Sequence, residues 1–204
     1  MPEPREPRTD GRPRLLVAVG TDKHPFDRLV GWLTEWHRTI GGAVVLTVQH
    51  GHTRADDLRD AVPFLGHAEL QAAMARADLV VCHGGPATIL EARRHGHLPI
   101  VVPRDPNRGE HVDDHQLLFA RRLGAAGLVA LCESRQELLA TLATGLADRS
   151  RFTVEVDAGA ADGRRAAVRR VGVIVEDLVA AAQRHHRPWW RPWGGPGPNG
   201  RRKQ

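Results

Sequence analysis

Six short apolar runs rich in β-branched residues, at residues 15–19, 43–48, 62–65, 79–82, 99–102 and 127–131, recur along the chain with longer stretches between them. Continuous apolar runs, without polar alternation, suit strands covered on both faces, and this is the rhythm of a parallel sheet. The pieces between the last three runs read as helices, residues 87–95 after a Gly84-Gly85-Pro86 turn and residues 112–123 ended by Gly124. Such β-α-β spacing needs right-handed crossovers that put helices on both faces of the sheet. The expectation is an α/β fold, a single doubly wound Rossmann-like domain of about six parallel strands. Between residues 66 and 77, Leu70, Ala73, Met74 and Ala77 fall on one helical face, the pattern of core packing.

With 204 residues and 41% apolar content there is room for one ordinary domain plus tails. The formal charge of +5 would point to nucleic acid or an anionic surface if it were evenly spread. It is not. Arg5, Arg8, Arg12 and Arg14 lie among prolines at the start, and Arg184, Arg187, Arg191, Arg201, Arg202 and Lys203 form an acid-free end, so the residues between are close to neutral. The expected organisation is a disordered tail over residues 1–13, the Rossmann-like domain over 14–186, and a disordered basic, Trp-rich tail over 187–204. Val168, Val171, Val175, Leu178, Val179 and Ala182 recur at helical intervals, predicting a C-terminal helix on the sheet, slightly weakened by Gly172. Cys82 and Cys132 are the two cysteines and form no disulfide framework, which fits a reducing, cytoplasmic setting. No apolar run approaches the ~20 residues of a spanning helix, and the N-terminus is charged where a signal peptide would be apolar.

The segment from Asp78 to Glu91 carries the most chemistry. A strand ends at Cys82, Gly84 and Gly85 make a tight turn, Pro86 suits a first helical turn, and Thr88 sits among that helix's free amides. Those amides and the helix dipole stabilise an anion, and glycines without side chains let a pyrophosphate approach the backbone. Glu91, three residues beyond Thr88 and read as lying on an exposed helix end, is within reach of the hydroxyls of a ribose attached to that pyrophosphate. A Gly-Gly turn of purely structural purpose is the competing reading of the same residues.

Several motifs follow one another in a recognisable order: Val19-Gly20-Thr21 with Pro25-Phe26-Asp27-Arg28-Leu29, then Gln49-His50-Gly51, then His83-Gly84-Gly85-Pro86-Ala87-Thr88-Ile89. Pro99-Ile100-Val101-Val102-Pro103-Arg104 and Gly109-Glu110-His111-Val112-Asp113-Asp114-His115-Gln116 complete the series. Together they resemble the C-terminal, donor-binding half of family-28 glycosyltransferases, over about residues 14–132. Among these are short separate catalytic subunits of two-component N-acetylglucosaminyltransferases and bacterial exopolysaccharide counterparts. The resemblance implies a GT-B type fold and a UDP-sugar-dependent hexosyltransferase of inverting mechanism in polysaccharide biosynthesis. It implies that Gly20 and Thr21 face the donor phosphates, that Thr88 and the amides near Gly85 take the diphosphate, and that Glu91 takes the uridine ribose. It sets Gln116 on the transferred sugar with His111, Asp113, Asp114 and His115 nearby, and counts Gln49, His83, Gly84 and Ala87 among the donor-binding residues.

An inverting transfer needs a general base and stabilisation of the departing diphosphate, without an enzyme nucleophile. His24 and Asp27 are the candidates for the catalytic role. Against it, His24 also reads as a loop histidine solvated near a helix start, and Asp27 and Arg28 as a pair on a helix surface. The run from Glu110 to Asp114 has a second reading too, as a solvated helix start with favourable acids. The histidines lack zinc-ligand spacing with cysteines, so no metal is expected, and neither is a cofactor. No Gly-x-Ser-x-Gly elbow or P-loop lysine occurs, which argues against a hydrolase or an NTPase. By the resemblance, an acceptor half is missing and a membrane-anchored subunit presents a lipid-linked acceptor, placing the chain peripherally at the inner face of the membrane. The alternative is a non-catalytic nucleotide-sugar-binding regulator. A third reading has the basic, Trp-rich tail bind RNA or anionic lipid, although no nucleic-acid partner is expected.

Overall fold

The computed structural model describes residues 11–154 and, beyond them, Val173. Six strands form one wholly parallel sheet: β1 (Arg14–Ala18), β2 (Val45–Gln49), β3 (Ala61–Val62), β4 (Leu79–Cys82), β5 (Ile100–Val101) and β6 (Ala130–Leu131). Their order is β3-β2-β1-β4-β5-β6, so the direction of winding reverses between β1 and β4. Four α-helices connect strands, α1 (Asp27–Thr39), α2 (His67–Arg76), α3 (Pro86–Arg94) and α4 (His115–Ala125), and α5 (Arg135–Ala147) follows β6.

Alternation along the central strands sorts the helices onto two faces. Leu15, Val17, Leu79 and Val81 pack with Leu29, Leu33 and Trp36 of α1 and with Leu138 and Leu142 of α5. The intervening residues turn the other way: Leu16 and Val80 meet Met74 and Ala77, while Ala18, Cys82 and Val101 meet Ile89 and Phe119 of α3 and α4. Both sides of β1 and β4 are therefore sealed, which is why these strands read as unbroken apolar runs. Leu70, Ala73, Met74 and Ala77 share the core-facing side of α2, as their spacing predicts.

The strand expected at 62–65 shrinks to two residues, because the chain after Val62 turns into the α2 approach at Pro63. The helix expected at 112–123 begins later, at His115, and runs through Gly124. That glycine is an interior packing residue: a Cβ on it would lie 3.0 Å from the Leu131 Cβ. The expected C-terminal helix carrying Val168 to Ala182 and the tail 187–204 fall outside the described residues apart from Val173, which is helical. Residues 1–10 of the N-terminal tail fall outside them as well. Among the described residues no helix is long and apolar enough to cross a membrane.

Candidate functional site

In an open α/β sheet, loops that diverge from the reversal point leave a crevice at the carboxyl ends of the strands. Here the loops after β1 and β4 bound it. Gly20 turns the chain with φ of +84°, a conformation that favours glycine, and its carbonyl accepts from Gln49 Nε2 at 3.1 Å. Gln49 is 4% exposed and thus holds the Gly20-Thr21 loop from beneath, while Thr21 is exposed.

His83 leaves the end of β4 and lays its ring between the two loops. A Cβ on Gly20 would come within 2.7 Å of the ring, and one on Gly85 would overlap its Nε2. Burial pushes the His83 pKa down to about 4, so the ring is neutral near pH 7. A Cβ on Gly84 would stand 2.9 Å from the Gln116 carbonyl oxygen, so the start of α4 packs directly on this turn. Both glycines are accounted for by the chain's own close approaches, and the room expected to admit a pyrophosphate is at these two points filled by His83 and Gln116. The anion-stabilising feature that remains is the start of α3. Pro86 has no N–H, the first backbone bond is donated by Ile89 to Gly85, and the amides of Ala87 and Thr88 have no acceptor within the helix. Ala87 is exposed and Thr88 half-buried, with no acid in that first turn. Gln116 Oε1 is buried with no hydrogen-bond partner.

A charged cluster supports the other side of the crevice. Asp22 Oδ1 accepts from the His24 amide at 2.8 Å and lies 2.6 Å from its Nδ1, while Oδ2 lies 3.7 Å from His111 Nε2. Burial alone would raise the Asp22 carboxyl, but the two His24 hydrogen bonds and the Arg104 charge hold it below the usual range. His111 Nδ1 lies 3.2 Å from Asp113 Oδ1, and Asp113 in turn accepts from the His115 amide at 3.1 Å and pairs with its ring at 2.9 Å. Burial would raise the Asp113 carboxyl too, yet its bonds to His115 leave it lowered. Arg104, 1% exposed, ties the cluster together: Nη1 donates to the carbonyls of His24 and Glu110, and Nη2 to that of Val19. Its guanidinium stacks on Phe26 at 4.8 Å.

Four expectations are corrected by this arrangement. Arg28 does not pair with Asp27; it reaches the buried Glu110. Glu110 is consequently no part of a solvated helix start, because its carboxylate is enclosed by Arg28 and the Asp105 amide. His24 is not simply solvated, being bound to Asp22 with its side chain 24% exposed. Glu91 does not stand on an exposed helix end: α2 packs beside α3, Gln71 donates to it at 2.8 Å, and Arg94 closes on its other oxygen at 3.1 Å. His24, His83, His111, Asp113, His115 and Gln116 gather at the crevice, whereas Asp27 faces away toward residues 54–57. Asp114 is exposed and precedes α4 without capping it. Asp22 stands in no motif of the series, and Arg104 and Glu110 stand in it without a structural role, although a charged residue at a strand end or beside a turn glycine is a usable signal. A groove of about 610 Å³ lies elsewhere, under α2, lined by Leu16, Val45, Ala72 and Ala77 together with Arg14, Glu69 and Arg76. Among the described residues no three His, Cys, Asp or Glu side chains converge as a metal site.

The profile of the glycosyltransferase family 28 C-terminal domain matches residues 14–170, more than half of the chain. The chain belongs to this family. Among curated family-28 relatives, the UDP-N-acetylglucosamine--N-acetylmuramyl-(pentapeptide) pyrophosphoryl-undecaprenol N-acetylglucosamine transferase of Cupriavidus metallidurans is 33% identical over 192 residues, covering 87% of this chain and 52% of that protein. The protein of the same name from Halorhodospira halophila is 32% identical over 194 residues, with the same coverages of 87% and 52%. The chain therefore spans about half the length of the curated relatives it matches. A crystal structure of the glycotransferase of kitacinnamycin superposes with a TM-score of 0.56 at 18% identity, over 89% of this chain and 46% of that one. The GT-B type, Rossmann-like fold of the family-28 domain is thus shared well beyond recognisable sequence identity.

Proposed function

We propose that this family-28 domain is the donor-binding, catalytic subunit of an inverting glycosyltransferase that moves a hexose or N-acetylhexosamine from a UDP-sugar to a lipid-linked acceptor. The observation that carries the reading is the pair of unsatisfied amides, Ala87 and Thr88, opening α3 at the point where the sheet reverses direction. A diphosphate there meets two N–H donors and the positive end of a helix dipole. Gln116, whose backbone packs on Gly84, carries a buried and unpartnered Oε1 that supplies an acceptor for a sugar hydroxyl. Glu91, released from Gln71 by a modest side-chain movement, accepts from the ribose. His24 is the candidate base. Asp27, facing away from the crevice, is the weaker of the two catalytic candidates.

The acceptor is proposed to be presented by an acceptor-binding subunit on another polypeptide, anchored at the inner face of the membrane, as the likeness to two-component N-acetylglucosaminyltransferases implies. Bringing both substrates together in one cleft supplies much of the rate gain in such transfers. Calorimetry of the full chain with UDP, GDP and ADP tests the donor assignment. Selective binding of UDP is expected; preference for another nucleotide, or no binding at all, removes it. Transfer to a lipid-linked acceptor is expected only with the acceptor subunit present, and robust transfer by the chain alone would remove the two-subunit reading.

A further inference from the structure

We propose that Asp22 is a positioning residue that orients His24 as the general base, so that the proton acceptor of the reaction is built into this chain. The inference rests on the donor-site reading above and deepens it. Asp22 and His24 form a two-point contact: one carboxylate oxygen takes both the His24 amide, at 2.8 Å, and its Nδ1, at 2.6 Å. A carboxylate accepts only, so this distance places the ring proton on Nδ1 and leaves Nε2 bare on the side away from Asp22. A solvated loop histidine has no such constraint.

The pair is fixed from several sides. The His24 carbonyl is held by Arg104 Nη1 at 2.7 Å, and the Asp22 carbonyl accepts from His52 Nδ1 at 3.0 Å. His111 approaches the second Asp22 oxygen at 3.7 Å, and the His24 and His111 rings lie 6.3 Å apart. The groups that act on Asp22 are thus His24 and His52, His111 from the loop before α4, Arg104 from the end of β5, and His83 from the end of β4. Arg104 and the His24 bonds keep Asp22 ionised, as an orienting carboxylate must be. The loop begins at Gly20, which packs against His83 and so adjoins the turn that opens α3.

The chemical step follows. An acceptor hydroxyl oxygen attacks the anomeric carbon of the donor sugar and forms the new C–O bond. The bond from that carbon to the diphosphate breaks, its electron pair staying on the phosphate oxygen, which the α3 amides stabilise. The hydroxyl proton passes to His24 Nε2, and the resulting imidazolium is held by Asp22. Configuration inverts, and no enzyme atom bonds to the sugar.

Two measurements on the full chain test this. Long-range nitrogen–proton NMR of the neutral His24 ring is expected to show the Nδ1–H tautomer, shifting to mainly Nε2–H in Asp22→Ala. With UDP-N-acetylglucosamine as donor and water as acceptor, UDP release is followed from about pH 5 to 9. His24→Gln is expected to lower kcat by about 100-fold or more, and Asp22→Asn by about 10-fold or more, with KM within about 2-fold. Asp22→Glu is expected to restore part of kcat, and the acid limb of the profile is expected to move in Asp22→Asn. An Nε2–H tautomer in the unaltered chain, or an Asp22→Asn variant with unchanged kcat and pH profile, overturns the inference. A chain that binds UDP yet never releases it from the donor also overturns it, by placing the base outside; a chain that does not bind UDP overturns the donor-site reading instead.

Discussion

Arg28 on α1 and Glu110 in the loop before α4, 82 residues apart, meet in a two-pronged ion pair, Nε to Oε1 and Nη2 to Oε2, both at 2.8 Å. Their side chains are 11% and 5% exposed. Two further bonds hold the pair, since Arg28 Nη2 donates to the Pro103 carbonyl and Glu110 Oε2 accepts from the Asp105 amide. Breaking one side strands a buried charge, so Glu110→Gln is expected to cost about 3–5 kcal/mol in urea unfolding. Replacing both, with Arg28→Met and Glu110→Leu, is expected to cost less than the sum of the single changes. Additive losses in that double-mutant cycle would mean that the two side chains act independently.

His83 makes the fold acid-sensitive. Its folded pKa is lowered to about 4, below that of an unfolded histidine, because burial disfavours the charged ring. Stability from this group is fully present above pH ~6.5 and is lost as pH falls toward 4, where the unfolded chain binds a proton that the folded chain refuses. The loss amounts to roughly 3 kcal/mol. Denaturant midpoints measured at pH 7.5 and 4.5 are expected to fall further for the unaltered protein than for His83→Asn. Equal falls would assign the acid sensitivity to the carboxylates.

Most of the sheet is legible in the sequence because β1 and β4 are covered on both sides and must be apolar throughout. β4 is found at its full extent, Leu79–Cys82. β3, β5 and β6 are two residues long, so the runs expected at 62–65, 99–102 and 127–131 mark their places but overstate their extent. The crevice was legible by position and much less by role. Gln49 turns out to brace Gly20, and Gly84 and Gly85 make way for Gln116 and His83, since a motif records which residues stand together but not which of them touch one another. The start of α4 was misplaced because its polar approach has helix-like composition. Gly109, at φ of +71°, and the Asp113 side chain on the His115 amide instead hold an irregular loop there. Arg28 and Glu110 could not be paired from sequence: Asp27 was the adjacent acid, and only the fold brings residue 110 to α1.

Glu91 shares its carboxylate between Gln71 and Arg94, so a ribose has to compete for it. Glu91→Ala is expected to weaken UDP binding by about 1–3 kcal/mol, the cost of a charge-assisted hydrogen bond. Gln71→Ala frees one oxygen and is expected to leave UDP affinity unchanged or slightly higher. Calorimetry separates the outcomes: loss of affinity in Gln71→Ala together with none in Glu91→Ala would reduce Glu91 to a clamp between α2 and α3.

Arg104 ties the loop after β1 to the loop before α4, through the carbonyls of Val19 and His24 on the first and Glu110 on the second, at 2.7 to 2.9 Å. A lysine has the charge but not the span: its compact ammonium cannot meet three carbonyls that a planar guanidinium reaches from separate nitrogens. At least one buried carbonyl then loses its donor, and stacking on Phe26 weakens. Arg104→Lys is therefore expected to cost about 2–4 kcal/mol. The loss has a location. Amides of residues 20–26 and 109–111 are expected to exchange hydrogen faster, while those of β1 and β4 change only by the global loss. The loop that carries Asp22 and His24 is the one that loosens, so UDP release from donor is expected to fall more than UDP affinity. Uniformly faster exchange over the whole sheet, with no excess in the two loops, would make Arg104 a general core residue rather than the tie between them.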